Sequence, residues 1–136
     1  MPLANAMNAA NSEASGLRGL RVLVVEDTWH VAKALKTALE GMGMVVAGPA
    51  ANTAEADRLV AEEIPHLALV DVNLKGEMAY GLIDRMHDRG VPVVVVSGYA
   101  VLASSAQKAA AILQKPFSGP ELQATLCQVM RRGRTH

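Results

Sequence analysis

Two observations predict a doubly wound α/β fold with a parallel sheet. Short apolar runs alternate with segments of helical period along the chain, and two of those runs end abruptly in carboxylates. Leu20-Arg21-Val22-Leu23-Val24-Val25 ends in Glu26-Asp27, and His66-Leu67-Ala68-Leu69-Val70 ends in Asp71. A near-continuous Val/Leu/Ala run bounded by polar turn residues is the pattern of a strand buried on both faces, as in a parallel sheet. Open α/β sheets bind their ligands beyond the carboxyl ends of the strands, so Glu26, Asp27 and Asp71 are candidates for one acidic site. Taken singly, each is also what an ordinary strand end looks like; two such endings in one small chain favour a site.

The elements follow in order. Met1 to Gly16 is rich in Ala, Asn and Ser without apolar period, so residues 1–17 are expected to be a disordered tail and 18–136 one domain. Strand 1 is Leu20 to Val25. Val31, Leu35, Leu39 and Met42 recur at helical spacing, with Gly41 and Gly43 ending that helix. Met44 to Ala47 is a short second strand closed by Gly48-Pro49. Asn52 with Glu55 three residues on starts a helix whose face is Ala56, Leu59, Val60 and Ile64, stopped by Pro65.

Strand 3 is Leu67 to Val70, followed by a loop over Val72 to Glu77. Ala79, Leu82, Ile83 and Met86 form the third helix face, with Gly90 as its stop. Val91 to Val96 is strand 4, with Pro92 near its start, where proline is tolerated. Val101 to Ala109 reads as a short or irregular helix. Ala110 to Leu113 is strand 5, followed by Gln114-Lys115-Pro116. Ser118 and Glu121 make a capping box for a last helix with Leu122, Leu126, Val129 and Met130 on its inner face. Arg131, Arg132 and Arg134 at its end suit the helix dipole and read as a solvated basic end.

Five strands alternating with helices give a flavodoxin-like (βα)5 sandwich with strand order 2-1-3-4-5. That order makes strands 1 and 3 neighbours and gathers Glu26, Asp27 and Asp71, while strand 4 delivers Ser97 and strand 5 delivers Lys115 to the same rim.

Composition narrows the function. The 136 residues are 51% hydrophobic and 3% aromatic, so the core is built from Val, Leu, Ala and Met. Lys+Arg and Asp+Glu are both 13, which lacks the basic excess of a nucleic-acid footprint. No apolar run approaches the ~18 residues of a membrane helix. Cys127 stands alone, which excludes an internal disulfide and fits a reducing cytoplasm. His30, His66, His87 and His136 have no ligand spacing and read as surface residues.

Clustered carboxylates repel one another unless a cation joins them, and oxygen ligands of this kind suit Mg²⁺. A carboxylate beside Mg²⁺ and a lysine can attack a phosphoryl group, with the cations offsetting charge in the transition state. The Ser97 hydroxyl can then hydrogen-bond the attached phosphoryl.

Val24-Val25-Glu26-Asp27, Leu69-Val70-Asp71, Val96-Ser97-Gly98 and Gln114-Lys115-Pro116 together resemble the receiver domain of two-component response regulators, over Leu20 to Arg132. The resemblance implies Asp71 as phosphoacceptor, Asp27 and Asp71 as Mg²⁺ ligands, Glu26 acting through water and the Asn73 carbonyl as a further ligand. It implies Ser97 as the hydroxyl switch, Lys115 as the phosphoryl-binding cation and a cis Lys115–Pro116 bond. Its phosphoryl source would be a sensor histidine kinase or a phosphotransfer protein. Two positions depart from the family. Lys75 stands where Pro is frequent, and Ile112 where an aromatic usually follows the switch. Val95-Val96-Ser97-Gly98-Tyr99 is similar instead to the Phe-Ala-Thr-Gly-Tyr subclass of stand-alone receivers, associated with histidine kinases of the HWE type. Tyr99 and Val101 to Ala109 are then the expected switched surface, signalling through protein contacts.

Other readings differ in class. A phosphohydrolase with an aspartyl-phosphate intermediate would place a second Asp two residues after the nucleophile, where this chain has Asn73. A nucleotide- or flavin-binding module would show a glycine-rich phosphate loop after strand 1, which is missing. A pseudo-receiver that binds partners without phosphorylation would have no need of the intact acidic set. Trp29, the one Trp, either shields the start of the first helix or stands near enough to Asp27 to sense a metal.

Overall fold

The computed structural model describes residues 16–98 and 108–134, with side chains as far as 132. The parallel sheet contains β1 (Arg21–Val25), β2 (Val45–Ala50), β3 (Leu67–Asp71), β6 (Val93–Ser97) and β7 (Ala111–Gln114). Its spatial order is β2-β1-β3-β6-β7, the order 2-1-3-4-5 expected for the five long strands. A two-stranded antiparallel unit, β4 (Asn73–Leu74) and β5 (Glu77–Met78), follows β3. The helices among the described residues are α1 (Trp29–Gly41), α2 (Thr53–Glu62), α3 (Tyr80–Asp88) and α4 (Gly119–Arg134). The helix expected over Val101 to Ala109 falls almost wholly outside the described residues, as does Tyr99.

The strands alternate between two apolar layers, as the two-residue period of a strand requires. Val22, Val24, Leu67, Leu69, Val94 and Val96 pack with Leu35 and Leu39 of α1 and Leu122 and Leu126 of α4. Leu23, Val25, Ala68, Val70, Val93 and Val95 pack with Ala56 and Val60 of α2 and Leu82, Ile83 and Met86 of α3. Both faces of the central strands are therefore covered, which is why their sequences show no polar alternation.

The local start signals act as expected. The Asn52 side chain accepts from the Glu55 amide at 2.8 Å. Ser118 and Glu121 exchange two hydrogen bonds of 3.1 Å each, a reciprocal capping box. Gly43 and Gly90, expected as helix stops, have φ of 85° and 76°.

Four expectations need correction. Leu17, expected in the tail, is fully buried in the α1/α4 layer, so the packed chain begins before residue 18. β2 does not end at Gly48-Pro49 but runs through both residues to Ala50. It is an edge strand, where a missing amide donor is tolerated. Only glycine fits at position 48: φ is +93°, and a Cβ there would lie 2.6 Å from the Ala50 nitrogen. Ile64 is not on the buried helix face; α2 stops at Glu62 and Ile64 is 56% exposed. The segment after Asp71 is not an open loop. Lys75 and Gly76 both have positive φ, 49° and 86°, as a two-residue type I′ hairpin turn demands.

Candidate functional site: an acidic cluster at the carboxyl edge of the sheet

β1 pairs with β3 from Val22↔Leu67 to Val25↔Val70, so the residues that follow Val25 emerge beside Asp71. One carboxylate oxygen from each of Glu26, Asp27 and Asp71 lies within 4.8 Å of the others. The Glu26 backbone is fixed by its amide, which donates to the Ala50 carbonyl at 2.9 Å. Asp71 is fixed by the Asn73 amide, which donates to Oδ1 at 3.0 Å. The tight hairpin behind Asn73 sets that amide's position, and the Asn73 side chain in turn accepts from the Gly76 amide at 3.4 Å.

Lys115 closes the cluster from the far side. Its ammonium donates to Asp71 Oδ2 at 3.0 Å and lies 3.5 Å from Glu26 Oε1. The Lys115 amide donates to the Ser97 carbonyl at 2.7 Å, tying the ends of β6 and β7 together. Lys115–Pro116 is cis, as expected. Ser97, paired in register with Gln114, is fully buried at the end of β6, and Gly98 beyond it is exposed.

The electrostatics show a site short of positive charge. Burial, and then the hydrogen bond and charge of Asp71, push the Glu26 carboxyl up to about 8 against the pull of Lys115. Burial alone would raise Asp71 as well, but hydrogen bonds from Glu26, the Asn73 amide and Lys115 outweigh it and hold Asp71 below its ordinary value. Burial works against the Lys115 ammonium, yet Asp71 and Glu26 more than offset this and raise it. Glu26 Oε2 is buried without a hydrogen-bond partner. A buried, partnerless carboxylate oxygen beside two further carboxylates is an arrangement that a hard divalent cation would satisfy, and the all-oxygen donor set suits Mg²⁺.

The structure thus brings Glu26, Asp27, Asp71, Asn73, Ser97 and Lys115 to one edge of the sheet. Ile112, on the edge strand β7, is 45% exposed rather than packed beneath Ser97. Trp29 does not shield α1: it is 74% exposed and lines a groove of about 420 Å³ with Glu26, Asp27, Ala32, Lys33, Lys36, Pro49 and Ala51. Sequence reasoning missed the two lysines of this groove, although Lys33 stands four residues after Trp29, the spacing that places two side chains on one helix face. Its ammonium lies 5.2 Å from the Trp29 ring centroid.

The response regulator receiver domain model matches residues 22–127. The chain is 34% identical over 122 residues to the virulence transcriptional regulatory protein PhoP of Salmonella typhimurium, covering 83% of this chain and 53% of that one. It therefore spans about half the length of the curated relatives it matches. Among solved structures it is similar to a CheY-like response regulator receiver domain protein of Methanospirillum hungatei. The TM-score is 0.80 at 25% identity, over 86% of this chain and 98% of that one. It also shares its fold with the response regulator PhyR of Brucella abortus, with TM-score 0.79 and 21% identity, over 97% of this chain and 56% of that one. No helix among the described residues is long and apolar enough to cross a membrane. Sheet order, acidic cluster and family match agree: the chain belongs to the response regulator receiver domain family, signalling modules of two-component systems that receive phosphoryl groups from histidine kinases or phosphotransfer proteins.

Proposed function

We propose that this receiver accepts a phosphoryl group on Asp71 and signals through protein contacts. The observation that carries the reading is the ammonium of Lys115 on Asp71 Oδ2 at 3.0 Å, beside two further carboxylates. Asp71 is held ionised, as an attacking carboxylate must be. Asp27 and Asp71 with the Asn73 carbonyl would hold Mg²⁺ directly, and Glu26 would do so through water. When bound, the ion supplies positive charge to the phosphoryl oxygens. Lys115 offsets charge on another phosphoryl oxygen, and Ser97 supplies a hydroxyl to the attached group.

The finer reading is a stand-alone receiver of the Phe-Ala-Thr-Gly-Tyr type, served by an HWE-type kinase or a phosphotransfer protein. The segment from Val95 to Tyr99 supports it. So does the exposed Ile112, which leaves β7 without a buried aromatic to follow Ser97. Output would then pass through Tyr99 and the segment to Ala109, which lie almost entirely outside the described residues. Intact-mass spectrometry after incubation with Mg²⁺ and acetyl phosphate tests the function. One phosphoryl adduct is expected on the wild type and none on Asp71→Asn. Rapid hydrolysis of phosphomonoesters with no adduct would contradict the reading.

A further inference from the structure

The groove beside the acidic cluster shares Glu26 and Asp27 with it, so it adjoins the carboxylates that stand within 4.8 Å of Asp71. Its other lining is of a different character. Trp29 is the chain's one tryptophan and stands 74% exposed, an unusual position for the largest apolar side chain. Pro49, Ala32 and Ala51 add apolar surface, while Lys33 and Lys36 bring two cations. Lys33 over the Trp29 ring at 5.2 Å anchors the indole at the rim. The wall across from α1 is equally fixed. Pro49 belongs to β2, and the Ala51 amide donates to Glu55 Oε2 at 3.3 Å. With Glu26 and Asp27 engaged on a metal, a slot with an aromatic plane and two cations suits a planar group that carries negative charge.

We propose that this groove binds the leaving group of the phosphodonor and selects donors whose leaving group is aromatic. The inference rests on Asp71 being the phosphoacceptor. With an aromatic acyl phosphate, an Asp71 carboxylate oxygen forms the new bond to phosphorus. The bond from phosphorus to the acyl oxygen breaks, and the arylcarboxylate departs with the electron pair. No proton or redox partner is required. The ring stacks on Trp29, and the charge that grows on the departing carboxylate meets Lys33 and Lys36.

Benzoyl phosphate and acetyl phosphate test this, since they share the reacting group and differ in the ring. Phosphorylation rates with both donors and Mg²⁺ are compared in the wild type and in Trp29→Ala. The benzoyl-to-acetyl rate ratio is expected to be about fivefold higher in the wild type, the size of one aromatic contact. Equal ratios would overturn the inference, and a loss of folding would not mimic this, because both donors meet the same protein. A second measurement is independent of phosphorylation. In Asp71→Asn with Mg²⁺, phenylphosphonate should quench Trp29 fluorescence saturably and methylphosphonate should not. Equal quenching by both would also overturn it. If neither donor modified Asp71 in the wild type, the proposed function would fail, and the quenching comparison would still decide whether the groove takes an aromatic anion.

Discussion

The ammonium of Lys115 donates to Oδ2 of Asp71 at 3.0 Å, joining the ends of two strands separated by 44 residues of sequence. In the proposed transfer to Asp71, this contact would place a cation where charge develops. Replacing Lys115 with Met keeps much of the stem and removes the charge. Phosphorylation is expected to slow about 10²-fold, the usual effect of deleting one transition-state charge partner. Mg²⁺ affinity should remain close to that of the wild type, because Lys115 is no ligand. Stopped-flow phosphorylation and isothermal titration check the two halves. A large loss of Mg²⁺ affinity with unchanged chemistry would reassign the lysine to the metal.

Glu26 gives the site a pH dependence. Its carboxyl is pushed up to about 8, and it must lose its proton to serve a cation. Apparent Mg²⁺ affinity should therefore rise with pH through about 8 and level off above it. Glu26→Gln should weaken binding about 10-fold and flatten the profile near pH 8. Calorimetric titrations at several pH values would read this directly.

The same shift governs the stability of the metal-free protein. Between the ordinary glutamate value of 4.5 and about 8, the native state keeps a proton that the unfolded chain has released. Stability should fall as pH rises through that window. Asp71, lowered, and Lys115, raised, titrate outside it. Glu26→Gln should abolish this slope in urea unfolding curves measured without metal.

Leu17 tests where the fold begins. It is fully buried and belongs to the apolar cluster that includes Leu39, Met44 and the inner residues of α4. Leu17→Ala should cost about 2–5 kcal/mol of unfolding free energy, as for other buried leucines. A cost below 1 kcal/mol would return it to the tail.

What could be read from sequence follows from what is periodic or chemically distinctive. The buried runs of β1, β3 and β6 gave away the sheet because both faces are covered, and the carboxylates at the ends of β1 and β3 gave away the candidate site. Capping residues Asn52 and Ser118 marked their helices because their side chains replace missing backbone partners. The β4–β5 hairpin was hidden because Lys75-Gly76 lacks the Asn or Asp that usually signals such a turn. Leu17 was hidden because one apolar residue has no period; its burial depends on α1 and α4, far along the chain. Ile64 misled because it continues the helical spacing one turn beyond Val60, although the helix stops at Glu62. The groove was invisible for a further reason: Trp29 and Lys33 lie on α1, whereas Pro49 and Ala51 belong to β2 and the turn after it.

The most direct test locates the phosphoryl group itself. The protein is phosphorylated with Mg²⁺ and a small acyl phosphate, reduced with borohydride, digested and sequenced by mass spectrometry. Borohydride converts an aspartyl phosphate to homoserine and leaves phosphoserine and phosphohistidine unreduced. The account predicts homoserine at position 71, dependent on Mg²⁺. A phosphoryl group mapped to Ser97 or to a histidine, with Asp71 unmodified, would contradict it.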